Sequence, residues 1–285
     1  MRKQEKKFQV GNFLFSVESP VDFIYPENFL LYERKEENCD YFYKIEYVSA
    51  LPEIHGSMIA ERPDLLVWKE NGLERRLIGV KGSPEPYALY VEENESSSHI
   101  YFLHDQTEHL HIDPVFTSLF ALERRMLDRS ALILHSAYIN YQGEAILFSA
   151  PSGTGKSTQA DLWKQYQGAE IINGDRSLLQ CIGGRWLARG WPVCGSSEIC
   201  HNTDTTIRCI VTLDQSQDGK NHIDLMKPGD AFRRLYSQIT VNGWNVASVN
   251  RGIDLLSDLL SQVPVYHLSA TISKEAVDTL HQLLG

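Results

Sequence analysis

The sequence contains little cysteine, and its cysteines form no recognisable pattern. There are five of them, an odd number, and no two lie at CxxC spacing. They are Cys39, Cys181, Cys194, Cys200 and Cys209. A disulfide framework needs cysteine pairs in an oxidising compartment, and a cysteine-based zinc site needs closely spaced pairs. We therefore expect neither of these, and reduced thiols favour a cytoplasmic location.

Long apolar runs and an excess of positive charge are also missing. No apolar segment approaches the roughly 20 residues that span a bilayer. The basic N-terminus is followed by alternating apolar and polar residues and not by a continuous apolar stretch, so we expect no export signal. The formal net charge of −10 opposes nonspecific binding to nucleic acid. The sequence therefore predicts no membrane partner and no nucleic-acid partner.

The length of 285 residues allows two domains, each with its own core. Residues 1–113 contain short alternating or aromatic segments separated by turn residues, which predicts a mostly β N-terminal domain. The predicted strands are 13–17, 41–45, 65–68, 87–91 and 99–103. From residue 114 to about residue 128, apolar residues recur at helical spacing, which predicts a helix at the start of a second domain, 114–285. The N-terminal domain would recognise an acceptor or assemble subunits, which leaves a homo-oligomer open.

The most informative feature is the segment APSGTGKST at residues 150–158. It lies between an apolar run, 144–149, that predicts a strand and a segment, 156–167, that predicts a helix closed by Gly168. Its glycines allow the backbone to wrap a phosphate chain, its lysine supplies a cation, and its serine offers a hydroxyl to Mg²⁺. The usual pattern begins with glycine, where this chain has Ala150. The alternative is an ordinary Gly/Ser-rich turn, which the flanking pattern disfavours.

This segment supplies the candidate nucleotide-binding residues. They are Ser152, Gly153, Thr154, Gly155, Lys156, Ser157 and Thr158. The expected ligand is a nucleoside triphosphate, with ATP as the phosphoryl donor and Mg²⁺ as the metal.

Asp175 is the carboxylate best placed to act with this loop. It ends a short apolar segment, 169–175, and follows Lys156 by 19 residues, enough for one helix and one returning strand. Phosphoryl transfer needs metal ligands and a group that orients or deprotonates the nucleophile. We therefore expect Ser157 and Asp175 to hold Mg²⁺, and Asp175 and Lys156 to be catalytic. The alternative is that Asp175 only initiates a turn.

The remainder of the second domain predicts strands and helices around this site. We expect strands at 131–139, 178–181 and 185–188, a strand pair formed by 208–213 and 222–226, and helices at 228–239, 249–260 and 273–284. The small-residue segment CGSSE at 194–198 is a candidate acceptor or phosphate-binding loop. Its candidate substrate residues are Ser196, Ser197 and Glu198. An ordinary turn is the alternative.

Several of these motifs together resemble a known kinase domain. They are HS at 135–136, SGTGKST at 152–158, GD at 174–175 and RG at 189–190. In this order they resemble the HPr kinase/phosphorylase family, which is related to phosphoenolpyruvate carboxykinase. The resemblance covers about residues 131–213 and is closest to small HPr-kinase-like proteins, some of which phosphorylate a serine of a precursor peptide. It implies an α/β (α+β) fold in which a P-loop nucleotide-binding domain follows the mostly β domain.

The resemblance also implies roles for individual residues. Asp175 would be the base, the Mg²⁺ ligand or both, and His135 would line the site beside the transferred phosphate. Arg189 would belong to the substrate site, although its match to the family is loose because Trp191 and Pro192 follow. The alternatives are a histidine that is satisfied within a buried strand and a surface arginine. The bifunctional members of the family have two adjacent acids at this strand end, whereas this chain has Gly174 in the first position. One carboxylate must then serve alone or be helped by Glu198, which puts a phosphorolytic activity in doubt.

These observations predict an ATP- and Mg²⁺-dependent kinase. The acceptor would be a hydroxyl, of serine in a peptide, a small protein or a metabolite. Decarboxylating chemistry like that of phosphoenolpyruvate carboxykinase is disfavoured, since the chain is short and shows no second Lys/His metal set. The alternative from another class is a nucleotide-sensing binding module with little or no transfer. The acceptor's identity and the use of pyrophosphate or ADP as donor stay open.

Overall fold

The computed structural model describes residues 2–35, 38–79, 85–111 and 117–285. The chain divides into two compact units, residues 1–122 and 123–285. The expected boundary at 113/114 lies within 112–116, outside the described residues. No helix in the described parts of the chain is long and apolar enough to cross a membrane.

The first unit is built on one large sheet. Its elements are β1 (Lys3–Val10), β2 (Phe13–Pro20), α1 (Glu27–Leu30), β3 (Glu33–Arg34), β4 (Tyr41–Val48), β5 (Ser57–Arg62), β6 (Leu65–Glu70), β7 (Leu73–Gly79), β8 (Pro86–Asn94), β9 (Ser97–Leu103) and a 3₁₀ segment, His104–His111. Among the described residues nine strands pair in the order β3-β1-β2-β4-β9-β8-β7-β6-β5. The five strands predicted from alternation are confirmed. On β4, for example, the alternate aromatic residues Tyr41 and Tyr43 are buried on one face of the sheet.

The helix predicted at 114–128 is interrupted. Residues 114–116 lie outside the described residues, 117–119 are helical, and α2 (Leu122–Asp128) follows. Between them Ala121 has a φ of 48°, in the left-handed region, which breaks the helical hydrogen bonding. Apolar residues at helical spacing therefore belong to two short helical segments and not to one helix.

The second unit is a mixed α/β structure. Its elements are β10 (Ala131–Tyr141), β11 (Glu144–Ser149), α3 (Lys156–Gln167), β12 (Glu170–Asn173), β13 (Arg176–Ile182), β14 (Arg185–Arg189), a 3₁₀ turn (Gly195–Ser197), β15 (Thr205–Gln215), β16 (His222–Leu225), α4 (Pro228–Tyr236), α5 (Val246–Gln262), β17 (Val265–Ala270) and α6 (Lys274–Leu284). The strand predicted before the glycine-rich loop is confirmed, and so is the helix after the loop, which ends at Gly168. The N-cap predicted at Ser273 is also confirmed.

The expected pairing of 208–213 with 222–226 is wrong. β17 lies between these strands, parallel to β15 and antiparallel to β16. β17 is short and follows two helices, so its partner on β15 is distant in sequence and local alternation gives little sign of it. The result is that β11, β15 and β17 run parallel and end at one edge of the sheet.

Helices cover both faces of this sheet. One apolar cluster packs α4 and α5 on one face and includes Leu235, Leu256 and Leu259. The other packs α3 and α6 on the opposite face around Trp163 and Leu280. The glycine-rich loop, which directly follows β11, is thus held between a buried strand and a packed helix.

Candidate functional site

The glycine-rich loop connects β11 to α3 through two residues in the left-handed region. Gly153 has a φ of 79°, and Gly155, the N-cap of α3, has a φ of 117°. Residues with a Cβ rarely adopt these values, so glycine is needed at both positions. The loop thereby reaches the N-terminal end of α3, where backbone N–H groups favour an anion.

Lys156 is buried against its own loop. Its Nζ donates hydrogen bonds to the carbonyl oxygens of Ala150 at 2.9 Å and Pro151 at 3.3 Å. Burial lowers the pKa of this ammonium, and the nearby Asp175 carboxylate opposes the shift. The cation is therefore oriented toward the interior of the loop, where a phosphate chain would lie.

Asp175 is positioned by Asn173, which the sequence reasoning missed. The buried Asn173 Oδ1 accepts hydrogen bonds from the backbone N–H groups of Asp175 (2.9 Å) and Arg176 (3.0 Å), which forms an Asx-turn. Its Nδ2 donates to the carbonyl oxygens of Trp191 and Val193. The sequence feature that could have indicated this Asx-turn is the asparagine two residues before Asp175. One buried amide therefore fixes Asp175 and joins its turn to the segment that leads to residues 194–197.

His135 and Arg176 contact the two oxygens of Asp175. His135 Nε2 lies 3.5 Å from Oδ1, and Arg176 Nε lies 3.3 Å from Oδ2. The hydrogen bond to His135 is the largest cause that lowers the pKa of Asp175, with the charges of Arg176, His135 and Lys156 adding to it and burial opposing it. Asp175 is therefore an anion at neutral pH, held among cations.

Gln238 holds the other side of His135. Its side-chain Oε1 lies 3.2 Å from the ring Nδ1 of His135, and its backbone oxygen accepts a hydrogen bond from the backbone N–H of His135 at 2.9 Å. Because an amide oxygen can only accept, Nδ1 donates here and Nε2 is turned toward Asp175. Gln238 follows α4 and is distant from His135 in sequence, so no local pattern indicated this contact.

Gly174 is covered by the turn at Gly195–Ser197. A Cβ built on Gly174 would lie 2.3 Å from Ser197 Cβ, far inside van der Waals contact. Ser197 is itself fixed, since its Oγ donates to the Cys194 carbonyl oxygen at 2.6 Å. No side chain therefore fits at this position unless Ser197 moves. This is the position at which the bifunctional HPr kinase/phosphorylases have a second acid.

Most of the candidate residues surround one cavity of about 270 Å³. It is lined by His135, Ser152, Gly153, Gly155, Lys156, Ser157, Thr158, Gly174, Asp175, Cys194, Ser196 and Ser197. Three candidates lie outside this lining: Thr154, Arg189 and Glu198. Arg189 is held elsewhere, by Gln180 at 2.7 Å and Asp204 at 2.6 Å.

The cavity fits Mg²⁺ only together with phosphate oxygens. Ser157 and Asp175 offer a hydroxyl and a carboxylate to the same space, which are ligand types that Mg²⁺ uses. No group of three or more metal-binding His, Cys, Asp or Glu side chains occurs among the described residues. A site with one or two protein oxygens is typical of Mg²⁺ that is bound through a nucleotide's phosphates.

The solved structures similar to this chain include a weak likeness to a kinase. A solved HPr(Ser) kinase/phosphatase from Coxiella burnetii is similar to this chain with a TM-score of 0.32 and 9% identity, covering 53% of this chain and 94% of the other. No family model and no curated protein matches the sequence. A likeness at this level does not establish the family.

Proposed function

We propose that this protein is an ATP- and Mg²⁺-dependent kinase that transfers the γ-phosphoryl group to a hydroxyl, of serine in a peptide, a small protein or a metabolite. The observation that carries the proposal is the single cavity shared by the loop, Lys156, Ser157, Asp175 and His135. Charged and polar groups of this kind, fixed by their own hydrogen bonds, are what phosphoryl transfer requires.

The loop would bind the polyphosphate. Backbone N–H groups around Gly153 and Gly155 surround the β-phosphate, and Lys156 replaces its bonds to the loop carbonyls with bonds to phosphate oxygens. Ser157 and Asp175 would hold Mg²⁺, which neutralises charge on the β- and γ-phosphates when bound. Because these groups are already positioned, little reorganisation accompanies the reaction.

Asp175 would also orient the acceptor. The acceptor oxygen attacks the γ-phosphorus, the bond from the γ-phosphorus to the β,γ-bridging oxygen breaks, and ADP leaves. The hydroxyl proton passes to the carboxylate of Asp175 or through it to solvent. His135, held by Gln238, keeps Asp175 in place. Ser196 and Ser197 line the same cavity and would contact the acceptor or a phosphate oxygen.

The packing at Gly174 disfavours a second, phosphorolytic activity. With no space for a second carboxylate, the site has one acid to serve as metal ligand and orienting group. The same observation supports the alternative function, a nucleotide-sensing module in which ATP binds with little transfer. The proposal therefore has to be tested by transfer and not by binding alone.

The test is phosphate transfer from γ-labelled ATP with Mg²⁺ to a pool of serine-containing peptides, small proteins and free serine. Wild type is compared with Lys156→Ala and Asp175→Asn. We expect label on a hydroxyl only when both residues are intact, and the labelled species identifies the acceptor class. Tight ATP binding with no labelled acceptor across the pool would contradict the kinase and support the sensing module.

A further inference from the structure

The cavity is lined by glycines and polar or charged side chains together with Cys194, so an apolar surface for the base of a nucleotide must be sought on another part of the surface. The orientation of the proposed site limits where this is. The proposed function puts the reacting phosphate at His135 and Asp175, and we place the α-phosphate toward Thr158, a lining residue in the first turn of α3. The nucleoside should therefore leave the cavity past Thr158 and away from Asp175.

The loop after β17, residues 271–273, lies on this side of α3. The amide Nε2 of Gln159, the residue after Thr158, is within 3.5 Å of the Thr271 carbonyl oxygen. The parallel strands β11 and β17 end at the same edge of the sheet, which is where open α/β sheets bind ligands. Thr271 is thus in direct contact with the first turn of the helix that follows the phosphate loop.

This loop is rigid, and an apolar side chain projects from it. Asn221 Oδ1 accepts from the Thr271 N–H at 2.7 Å and from its Oγ1 at 3.1 Å. Ser273 caps α6 by accepting from the Ala276 N–H. Between these two fixed residues, Ile272 is 81% exposed. An exposed aliphatic side chain next to a residue that contacts the first turn of α3 is suited to contact the flat face of a base.

A further observation concerns Gln159 itself. The residue is 3% exposed, and its Oε1 has no hydrogen-bond partner within the described structure. Buried amide oxygens are rarely left unsatisfied, and such exceptions are frequent at functional sites. A donor group of the nucleoside would satisfy this oxygen.

We infer that residues 271–273 form the nucleoside side of the site, with Ile272 in contact with the base of the nucleotide. This inference rests on the proposed function and assigns a surface that the phosphate-binding residues leave open. It predicts that nucleoside recognition is mainly apolar contact with one face of the base, so discrimination among nucleoside triphosphates is weak.

The test compares ATP with tripolyphosphate, which has the phosphates and no nucleoside. Binding of each, with Mg²⁺, is measured calorimetrically for wild type, Ile272→Ser and the matched control Leu225→Ser. Leu225 is also an exposed aliphatic residue, 66% exposed, but lines a different cavity beside α4. Neutral substitutions are used because a new charge would alter the binding of both ligands.

We expect Ile272→Ser to weaken ATP binding about three- to tenfold, the loss of one partly buried aliphatic contact, with tripolyphosphate binding unchanged. Ile272→Phe should retain or strengthen ATP binding, and Leu225→Ser should change neither ligand. Equal weakening of both ligands by Ile272→Ser, no weakening, or weakening by Leu225→Ser would overturn the inference. If wild type binds tripolyphosphate but gains nothing from the nucleoside, the inference fails alone. If wild type binds neither ligand, the proposed function fails with it.

Discussion

Two aspartates near strand ends in the second unit have nearly the same partners and differ in what surrounds them. Asp175 contacts His135 and Arg176, and the other nitrogen of His135 is held by Gln238. Asp214, on β15, contacts His267 Nε2 at 3.3 Å. It also accepts hydrogen bonds from the two terminal nitrogens of Arg234, Nη1 at 3.2 Å and Nη2 at 2.8 Å. The other nitrogen of His267 is held by Thr212 at 3.1 Å. Each carboxylate thus has a histidine, an arginine and a neutral group behind the histidine.

The difference lies in the neighbouring cation and the cavity. Asp175 shares its cavity with Lys156 and the glycine-rich loop, and Arg176 contacts only one of its oxygens. Asp214 lines a smaller cavity, of about 130 Å³, which reaches the loop only at Ala150 and Pro151, and Arg234 occupies both of its oxygens. Under the proposed function, Asp175 and not Asp214 acts on a phosphate, because Asp175 shares its cavity with the glycines and the lysine of the loop and has one oxygen that Arg176 does not contact.

The largest expected effect separates the cations beside the two aspartates. Lys156→Met should weaken ATP binding by about 100-fold or more, since it removes charge-assisted hydrogen bonds to phosphate. Arg234→Met should leave ATP affinity within about threefold, because Arg234 neutralises Asp214 and does not face the loop cavity. Calorimetric titration with ATP measures both. Equal losses would mean that both cations contact the nucleotide and that the distinction between the sites is wrong.

A second prediction tests the packing that leaves Asp175 as the single acid. Gly174→Ala should lower the free energy of unfolding by about 2 kcal/mol, because its Cβ overlaps Ser197. Gly229→Ala is the matched control on α4, where a Cβ would meet nothing within 4 Å, and should be neutral or slightly stabilising. Denaturant unfolding measures both. Adding Ser197→Gly to Gly174→Ala should recover part of the loss, and an additive double variant would contradict the proposed overlap.

The third prediction concerns the groups behind the two histidines. Gln238→Leu should lower kcat about tenfold with KM for ATP unchanged, because His135 loses the acceptor that fixes its orientation. Thr212→Val, which removes the equivalent partner of His267, should change kcat less than twofold. Steady-state kinetics with the identified acceptor measures both variants. A change confined to KM, or similar losses in both variants, would remove the positioning role of Gln238.

The smallest expected effect is the pH dependence that Asp214 contributes to stability. The hydrogen bond and charge of Arg234 lower the pKa of Asp214, with His267 adding to the shift. Because the folded-state pKa is below the ordinary value of 3.8, the stabilisation is present above that pH and is lost as the pH falls. Asp230 lies near Arg234 and Asp224 lies near His267, and their negative charges partly offset the effect of these two residues on Asp214.

The side chain of Asp214 is 48% exposed, so its stabilising contribution should be well under 1 kcal/mol. Asp214→Asn should therefore be slightly less stable than wild type at pH 7, and the difference should shrink as the pH falls below 3.8. Thermal unfolding across this range measures the difference. A gap that widens toward low pH would show that the carboxylate is not stabilised by these partners.

Local patterns predicted the parts of the site that are local in sequence. The strand, glycine-rich loop and helix around residues 144–168 follow from an apolar run, two glycines and a helical period, and the structure has them at these bounds. The hairpin of β13 and β14 follows from Gly183 and Gly184, which have positive φ. In these segments the interactions that set the conformation lie within a few residues.

Contacts between distant segments could not be read from the sequence. The pairing of β17 with β15 depends on a crossover through α4 and α5, and the contact of Gln238 with His135 depends on where α4 ends. Arg189 matches a family motif but is held by Asp204, which a sequence pattern cannot show. Whether Arg189 and Glu198 contact a substrate stays a prediction, and so do the roles of the residues that line the cavity.

The proposal that Asp175 is the carboxylate of phosphoryl transfer is tested most directly by the single-turnover rate in Asp175→Asn and Asp214→Asn, measured side by side at saturating ATP. We expect Asp175→Asn to transfer at least about 10³-fold more slowly than wild type, since it loses the charge that would orient the hydroxyl and hold Mg²⁺. Asp214→Asn should stay within about fivefold of wild type. Equal losses in the two variants, or a larger loss in Asp214→Asn, would contradict the proposal.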